Sequence, residues 1–539
     1  MNAFTPFSLP PLAPSVPAGQ GVPRRSAESL GLEASQFSRD LPDYAFPPEE
    51  PLAFACDPTP LDEPQLCSVV PDVARLMGLQ PEVLQSSAAW AELLSGAATI
   101  EGRPAYASVY AGHQFGSFVP RLGDGRALNL AAINGWVLQL KGAGTTPYAR
   151  FADGRAVLRS SVREFLCSEA MAGLGVPTTR ALSLVVSSTA VFREQPEPAA
   201  IVCRVAPSFI RFGHFEYFAA RGRPDLMIQL MDSLISHQPA FEGLQSHQGA
   251  DRLIAFFELA VKRTAALMAH WTAVGFMHGV MNTDNFSILG LTLDYGPFAW
   301  MEAFHPNEVC NHSDHSGRYR FAHQPSIGLW NLERLLAALS TAPVLSAQQK
   351  EALRDALLDQ YERHFQTQYR QLMAEKLGVS ARLEAQDWDG LMNALYGLLA
   401  SEGLDYTRFF EALSRCSPLE LEPTGVHGFQ ALRDQVLRPD ALESFLGHYQ
   451  PVAAAQAREM GDLARRRRLE ETNPRFILRN WVAEEVIRAL EDEGNIAPLQ
   501  AAMRYVSKPT QSFEAEPLFV RWTGPAPDWA ATLSLSCSS

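Results

Sequence analysis

The amino-acid sequence predicts an α+β protein with two lobes, a mainly β N-terminal lobe and a helical C-terminal lobe, with an extension at each end. Three observations lead to this prediction. Residues 104–220 contain short β-rich runs separated by glycine turns, one long helical pattern interrupts these runs, and amphipathic helical patterns dominate from about residue 250 onward. A cleft between two such lobes would hold the ligand.

The β lobe is predicted from three strands and one helix. Trp136–Lys141 alternates as a half-buried strand does, and residues 182–186 and 201–205 are rich in β-forming side chains. Between the first two strands, residues 156–174 repeat apolar side chains at helical spacing, and a glycine and a proline end the pattern. The predicted order is therefore strand, helix, strand, strand.

The helical lobe is predicted from apolar stripes. Residues 253–271 carry a wide stripe that ends at Gly275, and four later segments share the amphipathic pattern: 331–375, 384–403, 426–448 and 477–504. The predicted divisions are a flexible arm at 1–25, an N-terminal extension at 26–103, the β lobe at 104–220, the helical lobe at 221–420 and a helical C-terminal extension at 421–539.

Composition and charge exclude several classes of protein. The chain has 539 residues, of which 47% are hydrophobic, so it can bury large cores. Its formal net charge of -14 argues against nucleic-acid binding, because contact with a phosphate backbone needs a basic surface. No apolar run approaches the ~20 residues that span a bilayer. We expect a soluble monomer that binds neither nucleic acid nor membranes.

The cysteines and the N-terminal residues indicate the cellular compartment of the protein. Seven cysteines are scattered without paired spacings, which fits a reducing compartment, and Cys537 stands near the C-terminus, where oxidants can reach a thiol. No secretory signal is evident, so we expect a cytoplasmic protein; a mitochondrial location would follow if residues 1–25 were a transit peptide.

The basic run at 465–468 predicts a solvated helix face, with a contact for phosphate or an acidic partner as the alternative.

One short segment carries the strongest chemical signal. Residues 278–285 read HGVMNTDN, and residues 294–296 read DYG. A protein kinase has His-Arg-Asp, four residues and Asn in its catalytic loop, and a later Asp-Phe-Gly supplies a carboxylate for magnesium. In this alignment Val280 occupies the place of the kinase base, and valine cannot take a proton. A different carboxylate, Asp284, stands directly beside the asparagine.

This segment predicts a metal site and a displaced base. Asn285 and Asp294 would bind Mg²⁺, which offsets charge that develops on phosphate oxygens. Asp284 would accept the proton of an attacking hydroxyl, with a loop-capping carboxylate as the alternative. We predict a structural role for His278, because its kinase counterpart anchors the loop.

A glycine turn and a lysine precede this segment. Gly123 and Gly125 lie in the turn RLGDGR, where backbone amides could approach phosphates closely, although an ordinary hairpin turn is the alternative. Lys141 ends a predicted strand, and Glu164 lies on the following helix, where a kinase carries the glutamate that holds its lysine against phosphates. A solvated charge is the alternative interpretation of the lysine.

Further cations follow the lysine. Arg204 and Arg211 bracket residues 206–210, and Asp153 with Gly154 makes a tight turn before the predicted helix. Guanidinium groups suit phosphate oxygens through bidentate hydrogen bonds, although surface ion pairs are the alternative. The ordered occurrence of glycine turn, lysine, glutamate, two arginines, loop and DYG favours a nucleotide site with a kinase-like bilobal fold.

These residues resemble those of a known family. The segments RLGDGRA, LKGAGTTPYARFADGRAVLRSSVREFL, CRVAPSFIRFGHFE, GFMHGVMNTDNFSILGLTLDYGPF and CNHSDHSGRY, with the tail CSS, look like selenoprotein O, a family of pseudokinases that are protein adenylyltransferases. The resemblance covers roughly residues 30–539. It implies a kinase-like fold that binds ATP in a flipped orientation and transfers AMP to Ser, Thr or Tyr hydroxyls of proteins.

The resemblance also implies residue roles. Asp284 would be the base, Asn285 and Asp294 would bind Mg²⁺ or Mn²⁺, and Glu164 would pair with the lysine. The implied nucleotide contacts are Gly123, Gly125, Arg126, Lys141, Asp153, Gly154, Arg204 and Arg211. Cys537 stands where many members carry selenocysteine, and the resemblance implies a redox-controlling bond between Cys310 and Cys537, one of many pairings the sequence allows.

Two other functions stay open at this point. An ordinary kinase would transfer the terminal phosphate of ATP, and a catalytically silent pseudokinase would only bind the nucleotide as a scaffold. The retained metal carboxylate, Asp294, argues against the silent scaffold. The expected partners are therefore ATP, a divalent cation and acceptor proteins.

Overall fold

The computed structural model describes residues 21–41, 46–47, 51–193, 195–419, 427–533 and 535. The strands of the described chain are β1 Arg24–Arg25, β2 Phe37–Ser38, β3 Ala53–Ala55, β4 Gln65–Val69, β5 Thr99–Ile100, β6 Tyr106–Ser108, β7 Gly112–Gln114, β8 Ser117–Val119, β9 Ala127–Ile133, β10 Trp136–Lys141, β11 Ala156–Val157, β12 Arg180–Phe192, β13 Pro196–Ala206, β14 Phe276–Met277 and β15 Ala299–Trp300.

The helices follow the same numbering along the chain. They are α1 Pro71–Leu76, α2 Pro81–Ser86, α3 Ala88–Leu94, α4 Leu158–Gly173, α5 Phe212–Ala220, α6 Pro224–His237, α7 Gly249–Ala273, α8 Gln324–Leu339, α9 Ala347–Leu377, α10 Ala385–Glu402, α11 Tyr406–Ser414, α12 Gln430–Arg433, α13 Pro439–Met460, α14 Asp462–Thr472, α15 Asn480–Glu493, α16 Ala497–Ser507 and α17 Pro517–Trp522. The α+β class predicted from the sequence is confirmed.

The largest sheet has nine strands. Its main path runs β3-β6-β9-β10-β13-β12-β4, with β2 paired to β9 and β11 paired to β13. All pairings along this sheet are antiparallel. Strands β2, β3 and β4 come from residues 26–103, so this part of the chain completes the sheet that carries the site.

Strand β10 occupies the centre of this sheet, with the predicted bounds. The prediction that it is half-buried was wrong, because every residue from Val137 to Lys141 is buried. Leu138 and Leu140 join the main apolar core, whereas Val137 packs in a small separate cluster with Phe209. The second face is therefore covered as well, and it carries the polar groups of the site.

Helix α4 crosses the sheet and lies within the predicted range 156–174. It packs against β12 and β13 on one side and against the C-terminal helices α15 and α16 on the other. This double coverage explains why most of its residues are buried, including the charged Glu164 and Glu169. The C-terminal helices thus support the helix that carries one of the predicted site residues.

The helical part is built around α7, which has 25 residues and packs against α8 and α9. The predicted stripe at 253–271 is confirmed.

The single segment predicted at 331–375 is two helices. Pro343 interrupts the helical pattern, and Ser346 caps α9 through a reciprocal bond with Gln349. Helices α5, α6 and α11 were not predicted. Among the described residues, we find no helix that combines the length and the apolar character of a membrane span.

The basic run at 465–468 divides into two environments. Arg465 is only 1% exposed, so the prediction of a solvated face was wrong for this residue. Its Nε donates to the carbonyl of Gly378 at 2.9 Å and its Nη2 to that of Leu377 at 3.3 Å, where α9 ends. The guanidinium therefore satisfies carbonyls that the helix itself leaves unpaired. Arg467 and Arg468 are exposed, as predicted.

We expect Arg465→Met to lower the free energy of unfolding by about 3 kcal/mol, because buried carbonyls at the end of α9 lose their donors. The matched control is Arg467→Met, two residues away and exposed, which should change the stability by less than about 0.5 kcal/mol. Thermal or urea unfolding of both variants measures the difference. Equal stability of the two variants would contradict the structural role of Arg465.

Candidate active site

A cleft of about 640 Å³ lies between the sheet and the segment that carries the HGVMNTDN and DYG motifs. Eleven of the twelve predicted site residues line this cleft. The remaining one, Glu164, forms ion pairs with Lys141 and Arg204. The lining set is Gly123, Gly125, Arg126, Lys141, Asp153, Gly154, Arg204, Arg211, Asp284, Asn285 and Asp294. A second cavity, of about 720 Å³ between β4, α4 and α16, carries none of these residues.

Lys141 is held between two carboxylates. Its Nζ lies 2.6 Å from Glu164 Oε2 and 3.7 Å from Asp294 Oδ1. Lys141 is 9% exposed and Glu164 is 2% exposed. Burial lowers the pKa of Lys141, while Glu164 and Asp294 oppose this shift. The predicted pairing of strand lysine with helix glutamate is therefore present as a buried ion pair.

Arg204 and Arg211 also bind the carboxylate of Asp294. Each donates from Nη1 to one oxygen of Asp294, and Arg204 also donates to Glu164 Oε1 at 2.9 Å. Both guanidiniums are almost fully buried. Within the described chain, the Nε atoms of Arg204 and Arg211 are buried without a hydrogen-bond partner. The alternative of surface ion pairs is excluded for both arginines.

Asp294 is the point where these cations meet. Burial alone would raise its pKa, but Arg211, Arg204 and Lys141 more than offset this effect and hold the pKa well below its usual range. Its backbone has φ of 59°, in the left-handed region that costs a non-glycine residue energy. The carboxylate is therefore ionised, and its backbone geometry is imposed by the surrounding structure.

Asp284 lies next to this cluster, in the 3₁₀ turn Thr283–Asn285. Burial raises its pKa to about 6, although Arg211 and a hydrogen bond from Gln114 oppose the shift. The Nη1 of Arg211 donates to the backbone carbonyl of Asp284 at 2.8 Å, so the turn is fixed beside the cations. A carboxylate with a raised pKa in a cleft has the proton affinity that a general base needs.

Two other residues of the loop, Asn285 and His278, are held in place by hydrogen bonds. The amide nitrogen of Asn285 donates to the carbonyl of Val280 at 2.9 Å, which turns the amide oxygen away from that bond. His278 is 1% exposed, stacks on Trp271, and its Nε2 lies 2.9 Å from the carbonyl of Leu293. The predicted structural role of His278 is confirmed by this burial and bonding.

The glycine turn lies between β8 and β9. Gly123 has φ of 148°, and a Cβ at this position would lie 2.4 Å from the ring of Tyr148, so only glycine fits. Between the glycines, Asp124 is buried and accepts hydrogen bonds from the backbone amide of Ser108 at 2.9 Å and from its hydroxyl at 2.6 Å. Arg126 is exposed at the cleft wall. The buried carboxylate of Asp124 thus anchors the turn to Ser108.

The turn at Asp153 and Gly154 forms the outer part of the cleft. Asp153 Oδ2 pairs with Arg193 at 2.8 Å, and Oδ1 accepts from the amide of Arg155 at 2.9 Å. The hydrogen bond from Arg193, ahead of a smaller opposing effect of burial, lowers the pKa of Asp153. The carboxylate of Asp153 is therefore engaged by protein groups.

Several residues of the site were not predicted. Gln139 Oε1 accepts from Arg204, and Gln114 and Tyr110 line the cleft. Gln139 could have been found, because residues two apart in a strand share a face and Lys141 was already assigned to the site. Gln114 carried no recognisable signal, since it lies far from the loop in the sequence.

The donor set fits a divalent cation that is bound with a polyphosphate. No cluster of three or more His, Cys, Asp or Glu side chains suited to a metal occurs in the described residues. Mg²⁺ does not need one, because it is commonly held by one or two protein ligands while substrate phosphates and water supply the others. Asn285 and Asp294 both line the cleft, together with the buried Arg204 and Arg211, and supply the one or two protein ligands of that arrangement.

Two cysteines were predicted to interact. The thiol of Cys310 has its pKa raised to about 12 by burial. Cys537 lies outside the described residues, so the bond between them stays a prediction. The amide of His312 donates to the carbonyl of Leu535 at 2.9 Å, which brings the described end of the chain next to the segment that contains Cys310.

The fold and the site together define a class. An α+β protein whose cleft combines buried cations, an ionised carboxylate held by them and a separate carboxylate of raised pKa has the equipment for group transfer from a polyphosphate. A protein-family model described as "Protein adenylyltransferase SelO" matches residues 50–507. The chain belongs to this family and is a nucleotidyltransferase, which confirms the resemblance found in the sequence.

Curated relatives agree with the family model. The chain is 42% identical over 489 residues to the protein nucleotidyltransferase YdiU of Klebsiella pneumoniae, covering 89% of this chain and 96% of the relative. It is 43% identical over 519 residues to the protein of the same name from Dechloromonas aromatica, covering 95% and 99%. A third, from Cupriavidus metallidurans, is 43% identical over 499 residues and covers 89% and 88%.

Proposed function

We propose that this chain transfers AMP from ATP to Ser, Thr or Tyr hydroxyls of proteins, itself included, and releases pyrophosphate. The observation that carries the proposal is the convergence of Lys141, Arg204 and Arg211 on Asp294, in a cleft that also contains Asp284. Family membership supports the same activity.

The proposed architecture is a bilobal kinase-like fold. The nine-stranded sheet with α4 would be the N-terminal lobe, and the helices around α7 would be the C-terminal lobe. The division into arm, extension, β lobe, helical lobe and C-terminal extension remains part of this proposal. The proposal is supported by the buried Lys141 to Glu164 pair between a central strand and the helix that crosses the sheet.

The proposed nucleotide orientation follows from the depth of the cations. Arg204 and Arg211 are 1% and 2% exposed, so they would bind the β- and γ-phosphates at the inner end of the cleft. The exposed Arg126 and the turn at Asp153 would contact the outer part of the nucleotide. In this orientation the α-phosphorus faces the acceptor hydroxyl near Asp284, as the sequence resemblance implies.

The proposed chemistry is one displacement at the α-phosphorus. Asp284 accepts the proton of the acceptor hydroxyl while the hydroxyl oxygen forms a bond to that phosphorus. The bond between the α-phosphorus and the oxygen that bridges to the β-phosphate breaks, and pyrophosphate leaves with both bonding electrons. Lys141, Arg204 and Arg211 stabilise the negative charge that accumulates on the departing group.

Asn285 and Asp294 are the residues that would hold the divalent cation, for which we propose Mg²⁺. A bound Mg²⁺ neutralises charge on phosphate oxygens and orients them for the displacement. The arginines that now engage Asp294 would turn to phosphate oxygens, and their unpartnered Nε groups add donors for that purpose.

Two labelled forms of ATP test the function. Incubation with α-labelled ATP should place label on protein, and γ-labelled ATP should release it as pyrophosphate. Label from the γ position on protein would identify an ordinary kinase instead. Nucleotide binding without transfer of either label would identify a silent scaffold, and mass spectrometry should show an added AMP on the modified residue.

Lys141→Ala should lower kcat/KM for ATP by about 100-fold or more, because the phosphates lose a buried cation and the buried Glu164 loses one of its two cationic partners, Arg204 being the other. The control is Lys262→Ala, which removes an exposed lysine from α7. The initial rate of AMP transfer at varied ATP concentration measures the effect. A Lys141→Ala rate and KM equal to those of the control would remove Lys141 from the site.

A further inference from the structure

A short hairpin lies directly on the loop that carries Asp284. The hairpin comprises β7 Gly112–Gln114 and β8 Ser117–Val119, which pair antiparallel. The amide of His113 donates to Thr283 Oγ1 at 2.7 Å, and the amide of Phe115 donates to Asn282 Oδ1 at 3.0 Å. Two successive loop side chains are therefore bound by backbone groups of the hairpin.

A buried glutamate ties both elements together from α5. Glu216 is 4% exposed; its Oε1 lies 2.6 Å from His113 Nδ1, and its Oε2 accepts from the hydroxyl of Thr283. Because the same carboxylate holds the hairpin and the loop, the two elements cannot shift independently without breaking a buried charged hydrogen bond.

The hairpin also touches the carboxylate of Asp284 itself. A Cβ on Gly112 would lie 2.5 Å from Asp284 Oδ1, so the hairpin backbone approaches this side chain as closely as a glycine permits. Gln114 Nε2 donates to Asp284 Oδ2 at 3.3 Å. In the described chain, Oδ1 is buried and has no hydrogen-bond partner. The two oxygens are thus distinguished, one held and one unpaired.

We propose that Gln114 is a positioning residue for Asp284, and that the hairpin Gly112–Val119 fixes the orientation of the carboxylate that receives the acceptor proton. This inference rests on the proposed function, because it assigns Asp284 as the base. Gln114 donates its amide N–H to Oδ2 and Gly112 packs against Oδ1, so the carboxylate is held from both oxygens when it accepts the proton of the acceptor hydroxyl, and Gln114 itself exchanges no proton.

Two substitutions at Gln114 separate positioning from space filling. Gln114→Leu keeps the bulk but removes the donor, and it should lower kcat for AMP transfer by about 10- to 100-fold with KM for ATP within about twofold of the parent. Gln114→Glu keeps the length and shape but sets a second carboxylate against Asp284. It should be at least as impaired as the leucine variant, because it removes the donor and adds charge repulsion.

The control is Ser117→Ala, on the opposite strand of the same hairpin and exposed, which should leave kcat within about twofold. A thermal shift with a non-hydrolysable ATP analogue shows whether each variant is folded and binds nucleotide. The proposal is overturned if Gln114→Glu is as active as the parent, or if Gln114→Leu raises KM for ATP without lowering kcat.

A double variant tests whether Gln114 acts through Asp284. Once Asp284→Asn has removed the base, adding Gln114→Leu should change the residual rate by less than about twofold. Independent, multiplicative losses would contradict the proposal. Failure of the proposed function is distinguishable, since the parent enzyme itself would then transfer no AMP, or Asp284→Asn alone would be fully active.

Discussion

Asp294→Ala is expected to abolish AMP transfer, with a loss of at least about 1,000-fold in kcat/KM, equivalent to roughly 4 kcal/mol in the transition state. Two effects combine in this variant. The divalent cation loses its carboxylate ligand, and three buried cations, Lys141, Arg204 and Arg211, lose the group that offsets their mutual repulsion. Transfer of label from α-labelled ATP, measured over a range of Mg²⁺ concentrations, gives the result.

Asp294→Asn accompanies this variant because it preserves the side-chain shape. It should fold more readily than the alanine variant and remain almost inactive, since an amide neither balances the cations nor binds Mg²⁺ strongly. Asp355→Ala, an exposed aspartate on α9, is the matched control and should keep full activity. Activity of Asp294→Ala within a few-fold of this control would refute the assignment of Asp294.

Asp284→Asn is expected to lower kcat by about 100- to 10,000-fold, the range that a positioned general base contributes. The amide has the shape of the carboxylate but cannot accept the proton of the acceptor hydroxyl. KM for ATP should stay within about twofold, because Lys141, Arg204 and Arg211 remain in place. Steady-state kinetics at saturating acceptor protein separate the two parameters.

The matched control for Asp284→Asn is Asp389→Asn, which replaces an exposed aspartate on α10. Thermal stabilisation by an ATP analogue should be the same in both variants and in the parent. If Asp284→Asn loses analogue binding together with its activity, Asp284 belongs to the nucleotide contacts. A rate close to that of Asp389→Asn would instead reveal another base.

Much of the candidate site was predictable because its residue types are chemically specific and stand in a fixed order. The lysine, the helix glutamate, the two arginines and the loop carboxylates could each be assigned from the chain. The structure brings all of them except the glutamate into the lining of one cleft, and Glu164 pairs with Lys141 and Arg204 beside it. The central strand β10 was predicted with its bounds, since its composition favours a strand and glycine follows it.

Other features depend on contacts between distant parts of the chain. Gln114 meets Asp284 across 170 positions, and Arg465 meets the end of α9 across 87. A lone glutamine or an arginine in a basic run carries no local signal of such a contact. The burial of both faces of β10 was missed for the same reason, because the second face is covered by groups that arrive from elsewhere.

The sequence by itself determined the α+β class, the family and the identity of the charged groups, because side-chain chemistry, local periodicity and motif order are properties of the chain alone. Only the tertiary structure decided how these groups act on one another. Three cations hold Asp294 ionised, whereas Asp284, a short distance along the chain, is buried with one unpaired oxygen. Charge interactions and desolvation depend on distance and burial, and both arise only when separate segments fold together.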